Sequence, residues 1–206
     1  MPDADLDELL GTLGYRGEPA QRSAREALVT AGLTSGKKRR IDTAKIAAVR
    51  AALERALTPV CRSTTCAAEA GRRSPTARPV ETEANSCAVC GGSENRRAAV
   101  RLATSARGHR RPRLVIVGGS PEARTQLVEL TRGVAELRLV DGLGRATEEH
   151  ARTDIAWADV VLVWGSTQLD HKVSNHYAKA ANAITVPRRG VSSLLDAAAD
   201  RLDRTR

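Results

Sequence analysis

Phenylalanine is absent from this 206-residue chain, and two Trp and two Tyr are its only aromatic residues. A core must therefore be built from Ala, Val, Leu and Ile, which the 41% hydrophobic content permits. The same scarcity argues against gripping single-stranded nucleic acid by stacking its bases on aromatic rings. No window approaches the run of about 18 apolar residues that a membrane span needs. Met1 is followed by Pro-Asp-Ala-Asp, without the basic start and apolar core of a signal peptide. The expected location is the cytoplasm, with no membrane partner. Familiar catalytic signatures are missing too: there is no G-x-S-x-G elbow, P-loop lysine, H-E-x-x-H or carboxylate pair.

Positive charge is plentiful, and it is unevenly placed. The net charge is +9. Residues 1–35 carry a net −3, residues 36–113 a net +12, and residues 114–206 a net zero. A compositional bias acting on the whole chain would not spare the last ninety or so residues. The basic middle suits a polyanion, nucleic acid in particular, through phosphate neutralisation. Its densest clusters are Lys37, Lys38, Arg39 and Arg40, and Arg110 with Arg111. With so few aromatics, phosphate contacts on a duplex are the expected mode.

Three helices are predicted in residues 1–58: one over 3–14, a second over Glu18–Ala31 stopped by Gly32, and a third over Thr43–Leu57 capped by Asp42. They suit a helix-turn-helix, a small bundle or a dimerising arm, the last implying a homo-oligomer.

Four cysteines follow, Cys61, Cys66, Cys87 and Cys90, in the pattern C-x4-C-x20-C-x2-C. The two-residue spacing of the second pair lets both thiolates face one metal, and Gly91 permits the tight turn behind them. In a reducing compartment such a cluster points to metal before disulfides. A structural Zn2+ held by all four is the expected cofactor. A redox-active Cys87/Cys90 pair and an iron–sulfur cluster are the rivals. Arg72–Asn85 is rich in Arg, Pro, Thr and Glu and can bury little, so metal would supply folding free energy there. His109, in the basic linker 106–113, is a spare nitrogen ligand.

From Arg113 onward the pattern alternates. Strands are predicted at Leu114–Val117, Glu136–Val140, Asp159–Trp164 and Ala183–Val186. Helices are predicted at Pro121–Arg132, Thr147–Trp157, Asp170–Asn182 and Val191–Leu202. Uninterrupted apolar strands alternating with helices imply a parallel sheet covered on both faces. The fold class is α/β, a Rossmann-like four-stranded sheet of order 2-1-3-4, preceded by a small helical domain (1–58), a four-cysteine segment (59–105) and the basic linker.

In such sheets ligands sit at the carboxyl ends of the strands. Gly118, Gly119 and Ser120 follow the first strand, Asp141 and Gly142 the second, Ser166 and Thr167 the third, and Arg188 and Arg189 the fourth. Ser192 and Ser193 open the last helix. Glycine turns, arginines and helix N-termini together suit a nucleotide or phosphate ligand. Thr167 and Asp170 form a capping-box-like pair that puts His171 in the first turn of the third helix. A helix N-terminus keeps imidazole neutral, so His171 can accept a proton or ligate, with Asp141 as its acid–base partner.

These features also form a set: V-G-G after the first strand, Asp141-Gly142, the run A-D-V-V-L-V, His171, Ala178-Lys179, and G-V-S-S-L at Gly190–Leu194. As a set, residues 114–203 resemble the bacterial domain of unknown function 2325 (DUF2325), whose members similarly carry upstream cysteine pairs. The resemblance implies a Rossmann-like fold and brings no established activity. Many members have Ser where this chain has Asp170, so hydroxyl chemistry at that position does not carry over. The function expected is a zinc-containing, nucleic-acid-binding or regulatory protein whose Rossmann-like domain takes an anionic ligand. An enzyme acting on a nucleotide or phosphoester through His171, or a protein-interaction adaptor, is the alternative.

Overall fold

The structure, a computed structural model, describes residues 3–143, 147–165, 167 and 169–205. The chain divides into two units, Met1–Ser93 and Glu94–Arg206.

In the N-terminal unit, strand β1 (Asp3–Asp5) leads directly into helix α1 (Leu6–Thr12). Asp5 decides the junction: its carboxylate accepts the N–H groups of Asp7 and Glu8 at 2.9 and 3.0 Å, taking two donors that the first helical turn leaves without partners. Helix α2 (Glu18–Thr30) follows Gly17, whose φ of +85° only glycine adopts readily. Strand β2 (Arg40–Asp42) pairs antiparallel with β1. A 3-10 turn at Thr43–Lys45 then passes into α3 (Ile46–Ala56). The predicted first helix is thus shorter than 3–14, because β1 takes its first residues. Leu6, Leu10, Ala24, Leu28, Val49 and Leu53 form the buried core of these helices.

Strand β3 (Leu57–Val60), helix α4 (Thr64–Arg73) and parallel strand β4 (Arg78–Glu81) make a compact βαβ crossover. Residues 72–85 are therefore more ordered than their composition predicts. Val80 is buried in the helical core, and the β3–β4 pairing satisfies the backbone.

The C-terminal unit begins with α5 (Glu94–Ser105), which packs along α9 (Val191–Arg204). Ala98 and Leu102 of α5 share one core with Leu194, Leu195 and Ala198 of α9. Residues 94–105 thus belong with the sheet and not with the cysteine segment, because their apolar stripe finds its partner there. The basic stretch 106–113 is also held in this unit: Ala106 and Pro112 are buried, and His109 Nε2 lies 3.3 Å from the Leu202 carbonyl. His109 is thereby committed to α9, in the unit that does not contain the cysteines.

Strands β5 (Arg113–Val117), β6 (Glu136–Val140), β7 (Val160–Trp164) and β8 (Ala183–Val186) form a parallel sheet of order β6-β5-β7-β8. This is the predicted 2-1-3-4 order. Its faces follow the two-residue period of strands. Leu114, Ile116, Val160 and Leu162 face α5, α6 (Pro121–Thr131) and α9. Val115, Val117, Val161 and Val163 face α7 (Glu148–Trp157) and α8 (His171–Ala178). No helix of the described residues is long and apolar enough to cross a membrane.

Candidate metal centre and strand-end groove

The β3–β4 pairing brings the two cysteine pairs together. Cys61 follows β3 directly, Cys66 lies on α4, and Cys87 and Cys90 occupy the turn after β4. The Ala88 N–H donates to the Pro59 carbonyl at 2.9 Å, fixing that turn against β3. Within it the Gly91 N–H donates to the Cys87 carbonyl at 2.9 Å, and Gly91 and Gly92 take φ of +55° and +82°. All four thiols are buried, and their sulfurs lie within 4.8 Å of one another.

The sulfurs of Cys61 and Cys90 are 3.8 Å apart. A disulfide would need about 2.05 Å. A tetrahedral ion with bonds near 2.3 Å sets its sulfurs about 3.8 Å from each other. An iron–sulfur cluster interposes further atoms and spreads its thiolates more widely. The cluster therefore fits a single structural metal such as zinc, and four thiolates are the soft donor set that such an ion takes.

The surroundings treat Cys61, Cys66 and Cys87 differently. Burial pushes the Cys61 and Cys66 thiols up. At Cys87 burial acts the same way, but backbone N–H groups of Cys90, Cys61 and Val89, with the Cys90 thiol, outweigh it and bring the thiol down to about 7. One turn on from Cys66, buried Glu69 is paired to Arg72 and Arg73, the latter at 2.8 Å. Spacing alone does not reveal that carboxylate, since its burial comes from the fold.

The basic residues form a surface in each unit. Lys37, Lys38, Arg39, Arg40 and Lys45 are exposed and line one concavity of about 540 Å³ in the N-terminal unit, where they outnumber two carboxylates, Asp3 and Asp42. Arg110 and Arg111 are exposed in the C-terminal unit, just before β5.

At the carboxyl ends of the strands, the loops are tied to each other. Gly118 N–H donates to the Val140 carbonyl at 2.9 Å, and Asp170 N–H donates to the Gly142 carbonyl at 2.8 Å. The Thr167 hydroxyl accepts the Gly119 N–H at 3.3 Å and donates to the Trp164 carbonyl at 2.8 Å. Gly118 and Gly119 take φ of +98° and +89°. The close approach they permit is used by the protein itself. A Cβ on Gly118 would lie 2.6 Å from Thr167 Oγ1, and one on Gly119 would lie 2.7 Å from the Trp164 ring.

A groove of about 1000 Å³ opens beside these loops, between α5, α6 and the start of α9. Ser120, Thr167 and Arg189 line it. Ser120 also caps α6, accepting the Ala123 N–H at 3.3 Å. Arg188 supplies its carbonyl to the Trp164 indole N–H at 3.2 Å. At the start of α9, the Ser192 N–H donates to the Asn95 carboxamide at 3.0 Å, and the Ser193 hydroxyl donates to the Arg189 carbonyl at 3.2 Å. No protein-family model and no curated protein matches the chain.

His171 and Asp141 do not line this groove. His171 is exposed and opens α8, which covers the opposite face of the sheet. Asp141 accepts the Leu143 N–H at 3.1 Å in a local turn. Ser166 lies outside the described residues. The groove adds residues that spacing does not single out: Asn95, Glu122, Gln126, Glu129 and Trp164. Of these, Trp164 carried a signal, as one of two Trp and the last residue of a buried strand. Asn95 carried none, because only the packing of α5 on α9 brings it there.

Proposed function

We propose that this chain is a zinc-stabilised protein that binds a polyanion through its N-terminal unit, with duplex nucleic acid as the partner. The observation that carries this reading is the set of five exposed cations, Lys37–Arg40 and Lys45, around one concavity. They stand in the same unit as the four-thiolate centre. Cations converging on a hollow neutralise phosphates together, which gives affinity without base readout. Zinc is the proposed ion, holding Cys61, Cys66, Cys87 and Cys90 in place and leaving no open coordination position for chemistry.

In the same reading the Rossmann-like unit takes a phosphate-bearing ligand at Arg189 and the N-terminus of α9, as strand-end sites in such folds do. Membership of the DUF2325 group is part of this proposal. It rests on the residue set of 114–203.

A salt titration on a labelled duplex tests the nucleic-acid partner. Affinity should fall linearly with the logarithm of salt concentration. Replacing Lys37–Arg40 by Ala should weaken all sequences alike and flatten the slope by about 0.9 for each phosphate no longer neutralised. No binding at low salt, or binding indifferent to salt, overturns the reading. Native mass spectrometry should find one zinc ion per chain.

A further inference from the structure

The cysteine centre and the basic concavity of the N-terminal unit share a core. Leu57 of β3 and Val80 of β4 are buried among the side chains of α1, α2 and α3. The Tyr15 hydroxyl donates to the Leu57 carbonyl at 3.2 Å. Directly after β4, the Thr82 hydroxyl donates to the Gly14 carbonyl at 2.8 Å and accepts the Arg16 N–H at 3.1 Å. The same core buries Ile41, which stands between Arg40 and Asp42 and lines the concavity. The cationic surface therefore rests on a core that takes two of its residues from β3 and β4.

Those strands are held in turn by the thiols. Helix α4 covers them, and its buried residues are only Cys66, Glu69 and Ala70. Cys66 is thus its main anchor to the centre. The sulfurs of Cys61 and Cys90 are 3.8 Å apart, so a disulfide between them needs a closure of about 2 Å. Cys61 is 6% exposed, more than the other three, and Cys90 is fully buried. A small oxidant reaches Cys61 and finds Cys90 beside it as the resolving thiol. An opening of that size excludes a bulky disulfide oxidant.

We propose that the four-thiol centre is a peroxide-sensitive switch on the polyanion surface: hydrogen peroxide joins Cys61 to Cys90, and the unit gives up its metal and its grip on nucleic acid. This rests on the reading of the N-terminal unit as a zinc-stabilised polyanion binder and adds its regulation. The Cys61 thiolate attacks one peroxide oxygen; an S–O bond forms, the O–O bond breaks, and the hydroxide released takes a proton to become water. The Cys90 thiolate then attacks the Cys61 sulfur; the S–S bond forms, the S–O bond breaks, and a second hydroxide is protonated. Two thiolates have lost two electrons, and one peroxide has become two waters. Only Cys66 and Cys87 then remain as ligands, too few for a structural site. Without the ion α4 loses its anchor, and two four-residue strands without a covering helix are marginal.

The test treats the reduced, zinc-loaded full chain with hydrogen peroxide or, separately, with oxidised glutathione. Released zinc is followed with a coloured chelator, disulfides are mapped on peptides, and affinity is measured on a labelled duplex. Peroxide should release the zinc, yield the Cys61–Cys90 disulfide and lower duplex affinity by at least about tenfold. Hydrogen exchange should lose protection over residues 64–73, and dithiothreitol with zinc should restore both protection and affinity. Oxidised glutathione should act far more slowly. These readouts use the unaltered chain, so no cysteine variant has to fold. Zinc retained under peroxide, a disulfide between other cysteines, or equal rates with both oxidants overturns the switch and leaves the polyanion reading standing. Zinc release with unchanged duplex affinity does the same. If the reduced, zinc-loaded chain binds no duplex at low salt, both fall.

Discussion

In the C-terminal unit, Leu114–Val117 and Val160–Val163 are buried on both faces of a four-stranded sheet, and α9 alone adds six buried residues. Around the cysteines of the N-terminal unit the strands come only as pairs, and the buried cluster is Val60, Ala70 and the four thiols. Apolar burial orders the first region without help. The second has too little of it, and four sulfurs stand where a core would be. Buried thiols without an ion are weak hydrophobes crowded together. With one, they become the strongest cross-link in the unit. The contrast teaches that the two halves of this chain resist unfolding by different physics, and that each should fail under a different insult.

Metal removal should give the largest effect. Chelation, or Cys66→Ser, should cost the N-terminal unit on the order of 10 kcal/mol of metal-derived stabilisation. Hydrogen exchange should then lose protection over residues 57–93 while β5 and β7 keep theirs. Loss of protection in both units together would break the comparison. Truncating the sheet core comes next. Leu162→Ala should destabilise the C-terminal unit by about 2–5 kcal/mol, with metal content unchanged by native mass spectrometry.

Gly119→Ala should cost about 1–3 kcal/mol, because its φ is +89° and the new Cβ would meet the Trp164 ring at 2.7 Å. The shift should appear in the Trp164 emission as well as in the melting temperature, and unchanged emission would mean that the ring is not packed there. The smallest effect is expected at the tyrosines. The Tyr177 hydroxyl donates to Asp154 at 2.9 Å, and Tyr177→Phe should cost about 1 kcal/mol. Burial, then the Asp154 hydrogen bond and charge, pushes Tyr177 upward. Burial, then Glu54, pushes Tyr15 up to about 12 in the other unit. Each folded state therefore holds its proton longer than the unfolded chain does. That stabilisation is complete below pH 10 or so and is lost as pH climbs past it. Tyr177→Phe should flatten the alkaline limb of the C-terminal unit only, and a melt that follows one curve for both units would contradict this.

Much of the C-terminal fold was legible. Leu114–Val117 reads as a doubly covered strand because nothing polar interrupts it, and Ser120-Pro121 reads as a helix start for reasons local to those residues. The cysteine set was legible from spacing. The βαβ crossover that carries the cysteines was not, since Arg78–Glu81 contains a proline and two charges and becomes a strand only by pairing with Leu57–Val60. The site was half legible. Ser120, Thr167 and Arg189 come together along one groove, with Ser120 and Thr167 also bonded within the fold, whereas His171 stands on the other layer.

The order of strands and helices after Arg113 and the four metal-competent sulfurs belong to the sequence itself, because periodicity, caps and ligand spacing act over a few residues. Tertiary structure alone decided that α5 joins the sheet, that Trp164 and Thr167 occupy the space above the paired glycines, and that the groove opens toward α6 and away from α8. Those outcomes depend on which helix covers which face, and that choice is made by the whole core at once.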